Sequence, residues 1–351
     1  MRHMTFGRRC GLRVSAYALG TVNFGTGWGG GTERAEARRI LDRFADAGGT
    51  LLDTADCYHD GEAETFLGAF LAGRRDRFTL ATKFSFGWGK ESSGVLTTGN
   101  ARGNMIRSLE GSLRRLGTDH VDLYWVHFPD TVTPVEEVVA GLDDLVRAGK
   151  IRYAGLSNFA AWQVSRAVTL AEVHGRAPVA GIQTEYSLVE RTADRELLPM
   201  AEELGLGVAQ WGPLGGGLLT GKYRQGSAGR LTDWNGRVMR HESDAHRTAV
   251  LDEVLAVARE TGAPPAQVAV AWLNSRARTA GTAHVPVIGP RTVEQLDGYL
   301  AALDLTLDAA HLRRLDEVSA VPLGSPHDLV RGARDNLLGG DAARFEGARR
   351  A

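Results

Sequence analysis

The run Thr50-Leu51-Leu52-Asp53-Thr54-Ala55-Asp56-Cys57-Tyr58 sets a carboxylate and a phenol directly after a short apolar strand. Two later runs end the same way. Phe78-Thr79-Leu80-Ala81-Thr82-Lys83 closes on an ammonium, and Val121-Asp122-Leu123-Tyr124-Trp125-Val126-His127 closes on an imidazole. If these strands are parallel neighbours, Asp53, Tyr58, Lys83 and His127 converge at one rim. Active sites sit at such C-terminal strand ends when parallel strands close on themselves.

Working outward, short apolar runs continue to alternate with helical patterns. Strands are predicted at residues 16–20, 50–53, 78–83, 120–126, 153–157, 179–184, 207–211 and 285–288, with helices at 32–47, 62–72, 104–116, 135–148, 161–173, 195–204, 245–261, 266–277 and 293–302. The helical period is clear in Val135, Val138, Val139, Leu142 and Leu145. Eight strands with intervening helices predict an α/β fold of the (β/α)8 TIM-barrel type. An open dinucleotide-binding sheet would need G-x-G-x-x-G after its first strand. The chain has Leu19-Gly20-Thr21-Val22-Asn23-Phe24-Gly25 there instead, so the barrel is preferred.

Thr5–Cys10 and Leu12–Ser15 flank a Cys-Gly turn and predict a hairpin closing the barrel floor. Residues 1–320 are expected to form one barrel domain, and 321–351 a tail, part-ordered over the mouth. The glycine-rich stretch Gly215–Ser243 lacks periodicity and is expected to be a mobile loop over the active face.

Composition narrows the function classes. Among 351 residues, 43% are hydrophobic and 24% charged, ordinary values for a globular protein with a sizeable core. A net charge of −1 gives nothing global to attract phosphate, so no nucleic-acid partner and no membrane surface are expected. Cys10 and Cys57 are the two cysteines and fit neither a disulfide framework nor a zinc site, so no metal is expected. The opening Met1-Arg2-His3-Met4 lacks the apolar core of a signal peptide, and no apolar run reaches membrane-spanning length, which points to a cytoplasmic location.

The four polar residues suit proton donation. A free phenol titrates near pH ~10 and is a weak acid at neutral pH. A neighbouring ammonium favours the phenolate, so Lys83 is expected to make Tyr58 a better donor, with Asp53 holding Lys83 ionised. His127 is placed to donate a hydrogen bond to the same substrate oxygen. Such a group protonates an oxygen that becomes negative as hydride reaches its carbon.

From Thr5 to Ala320 the chain resembles the aldo-keto reductase family. The likeness is carried by Leu52–Tyr58, Ala81-Thr82-Lys83, Val126-His127 and Gly155-Leu156-Ser157-Asn158-Phe159, then by Gln183, Trp211–Tyr223 and Gly289–Leu296. The resemblance implies an NAD(P)H-dependent carbonyl reductase on a barrel, with Tyr58 as acid, Lys83 and Asp53 as its tuning pair and His127 as orienting donor. Relatives that reduce conjugated C=C bonds can carry glutamate in place of this histidine, so His127 favours C=O reduction.

The resemblance also implies cofactor contacts. Ser157, Asn158 and Gln183 would hold the nicotinamide carboxamide, Trp211 would stack on the ring, and Gly20 and Thr21, beside Asp53, would lie by the ribose. Lys222 and the backbone of Gly212, Pro213, Leu214, Gly215 and Gly216 would meet the pyrophosphate, with Arg230 as a further candidate. Gly289, Arg291 and Gln295, between the last strand and the next helix, would receive a 2′-phosphate, which predicts NADPH (NADP+) over NADH. Three positions depart from the family pattern: Gly212 for a serine, Tyr299 for an adenine-contacting asparagine, and His59 for a glycine beside the tyrosine.

Phe24, Trp28, Trp88 and Phe128 are expected to line an apolar mouth for a small-molecule carbonyl substrate with aromatic or ring portions. The resemblance implies keto-deoxysugars, aromatic aldehydes or pyridoxal as substrates, since relatives of this type reduce one or another of these, and the sequence does not choose among them. Two other readings stay open at this point: a cofactor-binding redox-sensing subunit with slow turnover, and a reductase of activated C=C bonds. Oligomeric state is not readable from the sequence.

Overall fold

Eight short parallel strands, staggered in register, close into a barrel. In the computed structural model, residues 1–87, 94–226 and 241–344 are described. A two-stranded hairpin, β1 (His3–Thr5) and β2 (Arg13–Ser15), precedes β3 (Ala18–Gly20), β4 (Leu51–Asp53), β5 (Thr79–Phe84), β6 (Val121–Val126), β7 (Ile151–Ser157), β8 (Val179–Glu185), β9 (Gly207–Trp211) and β10 (His284–Ile288). The last eight form the closed barrel in the order β10-β3-β4-β5-β6-β7-β8-β9. Gly20 pairs with Asp53, Asp53 with Ala81, Lys83 with Trp125, and Ser157 with Gln183, so the register steps up by two residues from Asp53 to Lys83 and again from Lys83 to His127.

Successive strand residues point to opposite faces. Ala18, Leu51, Ala81, Leu123, Trp125, Ala209, Val285 and Val287 form an inner apolar cluster, while Leu19, Leu52, Leu80, Tyr124, Ile182, Val208 and Ile288 belong to the layer beneath the helices. The helix Val135–Arg147 shows how that outer layer forms. Its Val138, Val139, Leu142 and Leu145 are buried on one face, and Glu136 and Glu137 sit in its first turn with Arg147 in its last, matching the helix dipole.

The hairpin closes the floor as expected, with a shorter pairing: His3–Thr5 face Arg13–Ser15, and residues 6–12 form the connection. Phe6 is fully buried and meets Trp125 edge-on at a centroid distance of 6.1 Å. A Cβ at Gly181 or Gly207 would come within 2.5 and 2.7 Å of its ring, so these glycines make room for the plug. Two helices lie outside the predicted set. Ala309–Val318 is capped by Asp308, which accepts from the His311 amide at 2.7 Å, and His327–Leu337 falls in the expected tail. That tail meets the segment after β8, where Arg195 donates to the Ser325 carbonyl at 3.2 Å.

Of the stretch expected to be a loop, Gly215–Thr220 and Lys222–Gln225 form two tight 3-10 turns, and residues 227–240 lie outside the described set. No helix among the described residues is long and apolar enough to cross a membrane.

Replacing Phe6 by alanine leaves a cavity between Trp125 and two glycines that cannot fill it. The expected loss is about 3–5 kcal/mol, read as a lower urea midpoint with unchanged slope.

Candidate active site

The inner parity of the barrel carries, near the strand tops, Gly20, Asp53, Lys83, Ser157, Gln183 and Trp211, and just past β6 and β10 His127 and Gly289. Each position lies an even number of residues beyond an inward apolar side chain or glycine of its own strand. These eight residues are therefore brought to one mouth by the alternation of their strands.

Lys83 is fully buried, and its ammonium has three partners: Asp53 Oδ2 at 2.6 Å, the Thr54 carbonyl at 2.7 Å and Tyr58 Oη at 3.1 Å. Three donors meet three acceptors, which is the full capacity of a lysine head. The second carboxylate oxygen of Asp53 accepts from Gln183 Nε2 at 2.9 Å. Tyr58 reaches the site from a 3-10 turn over Tyr58–Gly61. The chain leading into that turn is tied to β5, the Thr54 amide donating to the Ala81 carbonyl at 2.9 Å and the Asp56 amide to the Lys83 carbonyl at 3.1 Å.

Burial and charge oppose each other here. Burial pushes the Tyr58 phenol up to about 12 against the pull of the Lys83 ammonium. Lys83 acts in the expected direction, lowering the phenol's pKa, but desolvation outweighs it and the phenol stays protonated. Burial also works against the Lys83 ammonium, yet the Asp53 carboxylate and the Tyr58 oxygen together hold its pKa above the ordinary lysine value. Burial, with the Lys83 charge adding to it, keeps His127 well below the usual histidine range, so its ring is neutral. A neutral imidazole still carries one N–H to donate. The His127 and Tyr58 rings stand 6.0 Å apart, nearly perpendicular.

Residues able to hold a dinucleotide form an arc on the far side of Asp53. Thr21 is buried and bonds the Asp53 carbonyl through its amide at 2.9 Å and its hydroxyl at 3.2 Å. Asn158 adopts a left-handed φ of 61°, which asparagine tolerates better than most side chains. It donates to the Ser157 hydroxyl and the His127 carbonyl, both at 3.0 Å, and accepts from Trp211 Nε1 at 3.0 Å. Trp211 is thereby fixed, half-buried, at the end of β9.

After Trp211 the chain runs through Gly212, Gly215, Gly216 and Gly217 at φ of 72°, 55°, 69° and 100°. Such values favour glycine, and the absence of side chains lets a ligand approach the backbone of Pro213 and Leu214 closely. Lys222 follows, its ammonium 5.1 Å from the Tyr223 ring centroid. At the other end, the Gly289 carbonyl accepts from Asn23 at 2.8 Å and the Arg291 carbonyl from the Thr32 hydroxyl at 3.3 Å. Gln295 accepts the Arg291 amide at 2.9 Å, at the start of the helix Val293–Ala301. Tyr299 is half-buried against the core.

The substrate-side residues separate. Trp28 is 36% exposed and stands edge-on to Tyr58 at 6.4 Å; Phe128 packs 4.9 Å from His127. Phe24 is fully buried in the helix-side core and presents no surface to the mouth. Trp88 and Arg230 lie outside the described residues. The sequence reading passed over Phe86, which is 52% exposed and meets His127 and Phe128 at 5.4 and 4.9 Å. Its signal was an aromatic three residues after Lys83 in the sequence.

The barrel is that of a known family. Residues 17–320 match the Aldo/keto reductase family, and the chain belongs to it. It is 39% identical to the oxidoreductase YrpG of Bacillus subtilis, over 91% of this chain and 97% of that one. It is 33% identical to norsolorinic acid reductase of Aspergillus flavus, over 93% of this chain and 84% of that protein. It is also 32% identical to the NADP(+) aryl-alcohol dehydrogenase of Phanerodontia chrysosporium, over 98% and 93% of the two chains. The protein is an NAD(P)H-dependent oxidoreductase, and the relatives place its chemistry in carbonyl reduction.

Lys83→Met leaves the Asp53 carboxylate buried with only Gln183 opposite. The expected loss is about 3–5 kcal/mol of stability in urea unfolding. Asp53→Asn combined with Lys83→Met removes the uncompensated charge and is expected to recover much of that loss.

Proposed function

We propose that this protein reduces a ring-bearing aldehyde or ketone to its alcohol with NADPH, Tyr58 giving the proton. The observation that carries the reading is the direction of one hydrogen bond. Lys83 Nζ donates to Tyr58 Oη, so the phenol's own proton is left for an acceptor on the pocket side. A carbonyl oxygen lodged between Tyr58 and His127 would take hydrogen bonds from both. When bound, NADPH supplies the hydride.

The chain's own residues do the rest. The Tyr58 proton passes to the substrate oxygen as negative charge grows there, and Lys83 stabilises the phenolate left behind, which is where the ion pair with Asp53 acts. Neutral His127 holds the carbonyl in line without competing for that proton. The fully buried base of the site keeps water from the phenolate side.

The nicotinamide fits the arc of Ser157, Asn158, Gln183 and Trp211, and the glycine backbone at 212–216 suits a pyrophosphate with Lys222 beside it. Gln183 serves two roles in this reading, because its Nε2 also steadies Asp53. The preference for NADPH rests on Arg291, held at a helix start by two backbone bonds, where a 2′-phosphate would meet both guanidinium and helix dipole. The ring-bearing substrate rests on Trp28, Phe86 and Phe128 around the mouth, and on relatives named for an aryl alcohol and for norsolorinic acid.

Tyr58→Phe is expected to lower kcat for an activated aromatic aldehyde by roughly 10²–10⁴-fold, with NADPH binding retained by fluorescence titration. A mutant as fast as wild type would remove Tyr58 as the acid. Arg291→Ala is expected to weaken NADPH roughly 10- to 100-fold and NADH far less. Equal losses for both cofactors would undo the phosphate assignment.

A further inference from the structure

Beside the catalytic tyrosine, His59 does something the reaction itself does not require. Its backbone lies at φ 48°, and it is 3% exposed. Its ring fills the loop from Phe24 to Thr32, whose neck is closed by the Gly25 amide donating to the Thr32 carbonyl at 3.1 Å and the Thr32 amide to the Asn23 carbonyl at 2.6 Å. A Cβ at Gly25 would meet His59 Cγ at 2.6 Å, and one at Gly31 would meet its Cε1 at 2.9 Å. The glycines of this loop are therefore wrapped around the imidazole.

Two contacts join His59 to Trp28. The Trp28 amide donates to His59 Nδ1 at 3.2 Å, and the two rings stack at 4.7 Å with planes 22° apart. Glu62 secures the same loop from below, accepting the Thr26 amide at 2.7 Å. The indole so held stands at 81° to the Tyr58 ring, with the exposed Phe86 beside His127 across the mouth.

We propose that His59 is a positioning residue that sets substrate range, fixing Trp28 as a rigid wall beside Tyr58 so that the pocket favours flat ring carbonyls over short aliphatic ones. This rests on the carbonyl-reductase reading given above. An indole locked on one face by an imidazole and at its amide by a hydrogen bond loses little freedom when a ring packs against it, so the contact adds to binding instead of being spent on ordering the loop. Burial holds the His59 pKa below the usual histidine value, against Glu62, the Val22 carbonyl and Asp60, so Nδ1 is available as an acceptor at neutral pH. The catalytic step does not pass through His59. Its removal acts on KM for ring substrates and not on kcat.

The test compares His59→Gly, His59→Asn, Trp28→Ala and the double variant His59→Gly/Trp28→Ala, using NADPH with 4-nitrobenzaldehyde and with propanal. Glycine and asparagine both accept the left-handed backbone, and asparagine offers an oxygen in place of Nδ1. His59→Gly and Trp28→Ala are each expected to raise KM for the aryl aldehyde about three- to tenfold, and to raise KM for propanal by a smaller factor. His59→Asn is expected to regain part of the loss, and the double variant to be no worse than Trp28→Ala alone. Equal losses on both aldehydes, a fall in kcat alone, or additive effects in the double variant would overturn the proposal.

If wild type reduces neither aldehyde, the functional reading fails, and the Trp28 placement is still decided by emission. The difference spectrum between proteins with and without Trp28→Phe should shift to the red in His59→Gly as the indole meets water. An unchanged difference spectrum would overturn the role of His59.

Discussion

A lysine ammonium with no exposure to water is costly to bury, and the barrel mouth is organised around meeting that cost. Each of the three Lys83 donors has one acceptor, drawn from Asp53, the backbone of Thr54 and Tyr58. Asp53 is then fixed in turn by Gln183 from the opposite side of the barrel. The charge thus fixes the phenol, the strand-end loop that carries it and one of the residues proposed to hold the nicotinamide. A buried ion pair of this kind contributes little net stability against an apolar alternative. Its value lies in geometry, because the phenol oxygen can accept from Lys83 in one orientation and must then turn its proton to the pocket.

The other parts of the mouth follow from the two-residue period of the strands. Leu51 and Asp53, Ala81 and Lys83, Leu123 and Trp125 followed by His127, and Ala209 and Trp211 each share a parity, the earlier members lining the barrel and the last facing its mouth. That relation was legible in the sequence, since an apolar alternation that ends in a polar residue needs no knowledge of distant contacts. The (β/α)8 class was legible for the same reason. Less visible was the sum of opposing effects on Tyr58: the sequence names Lys83 as a neighbour but not the depth at which both are buried, and depth decides the direction of the shift.

Loops were the least readable region. Phe24 and Trp28 lie four residues apart in one glycine-rich segment, yet one ring is in the core and the other is at the mouth. The loop that holds them is bridged from Phe24 to Thr32 and filled by an imidazole, and neither relation is local. Phe86 was missed for a similar reason, as its place beside His127 depends on how the chain leaves β5. The helix Ala309–Val318 shows a weaker form of the problem, since Leu315 is its one fully buried side chain and its apolar residues are few.

The central claim is that hydride reaches a carbonyl carbon while Tyr58 protonates the oxygen. It is tested most directly with cinnamaldehyde, which offers both a C=O and a conjugated C=C bond, and with NADPH deuterated at the transferable position. Cinnamyl alcohol carrying deuterium on the carbinol carbon, with the double bond intact, is the expected product. Saturated aldehyde, with deuterium on the carbon chain and the carbonyl retained, would contradict it.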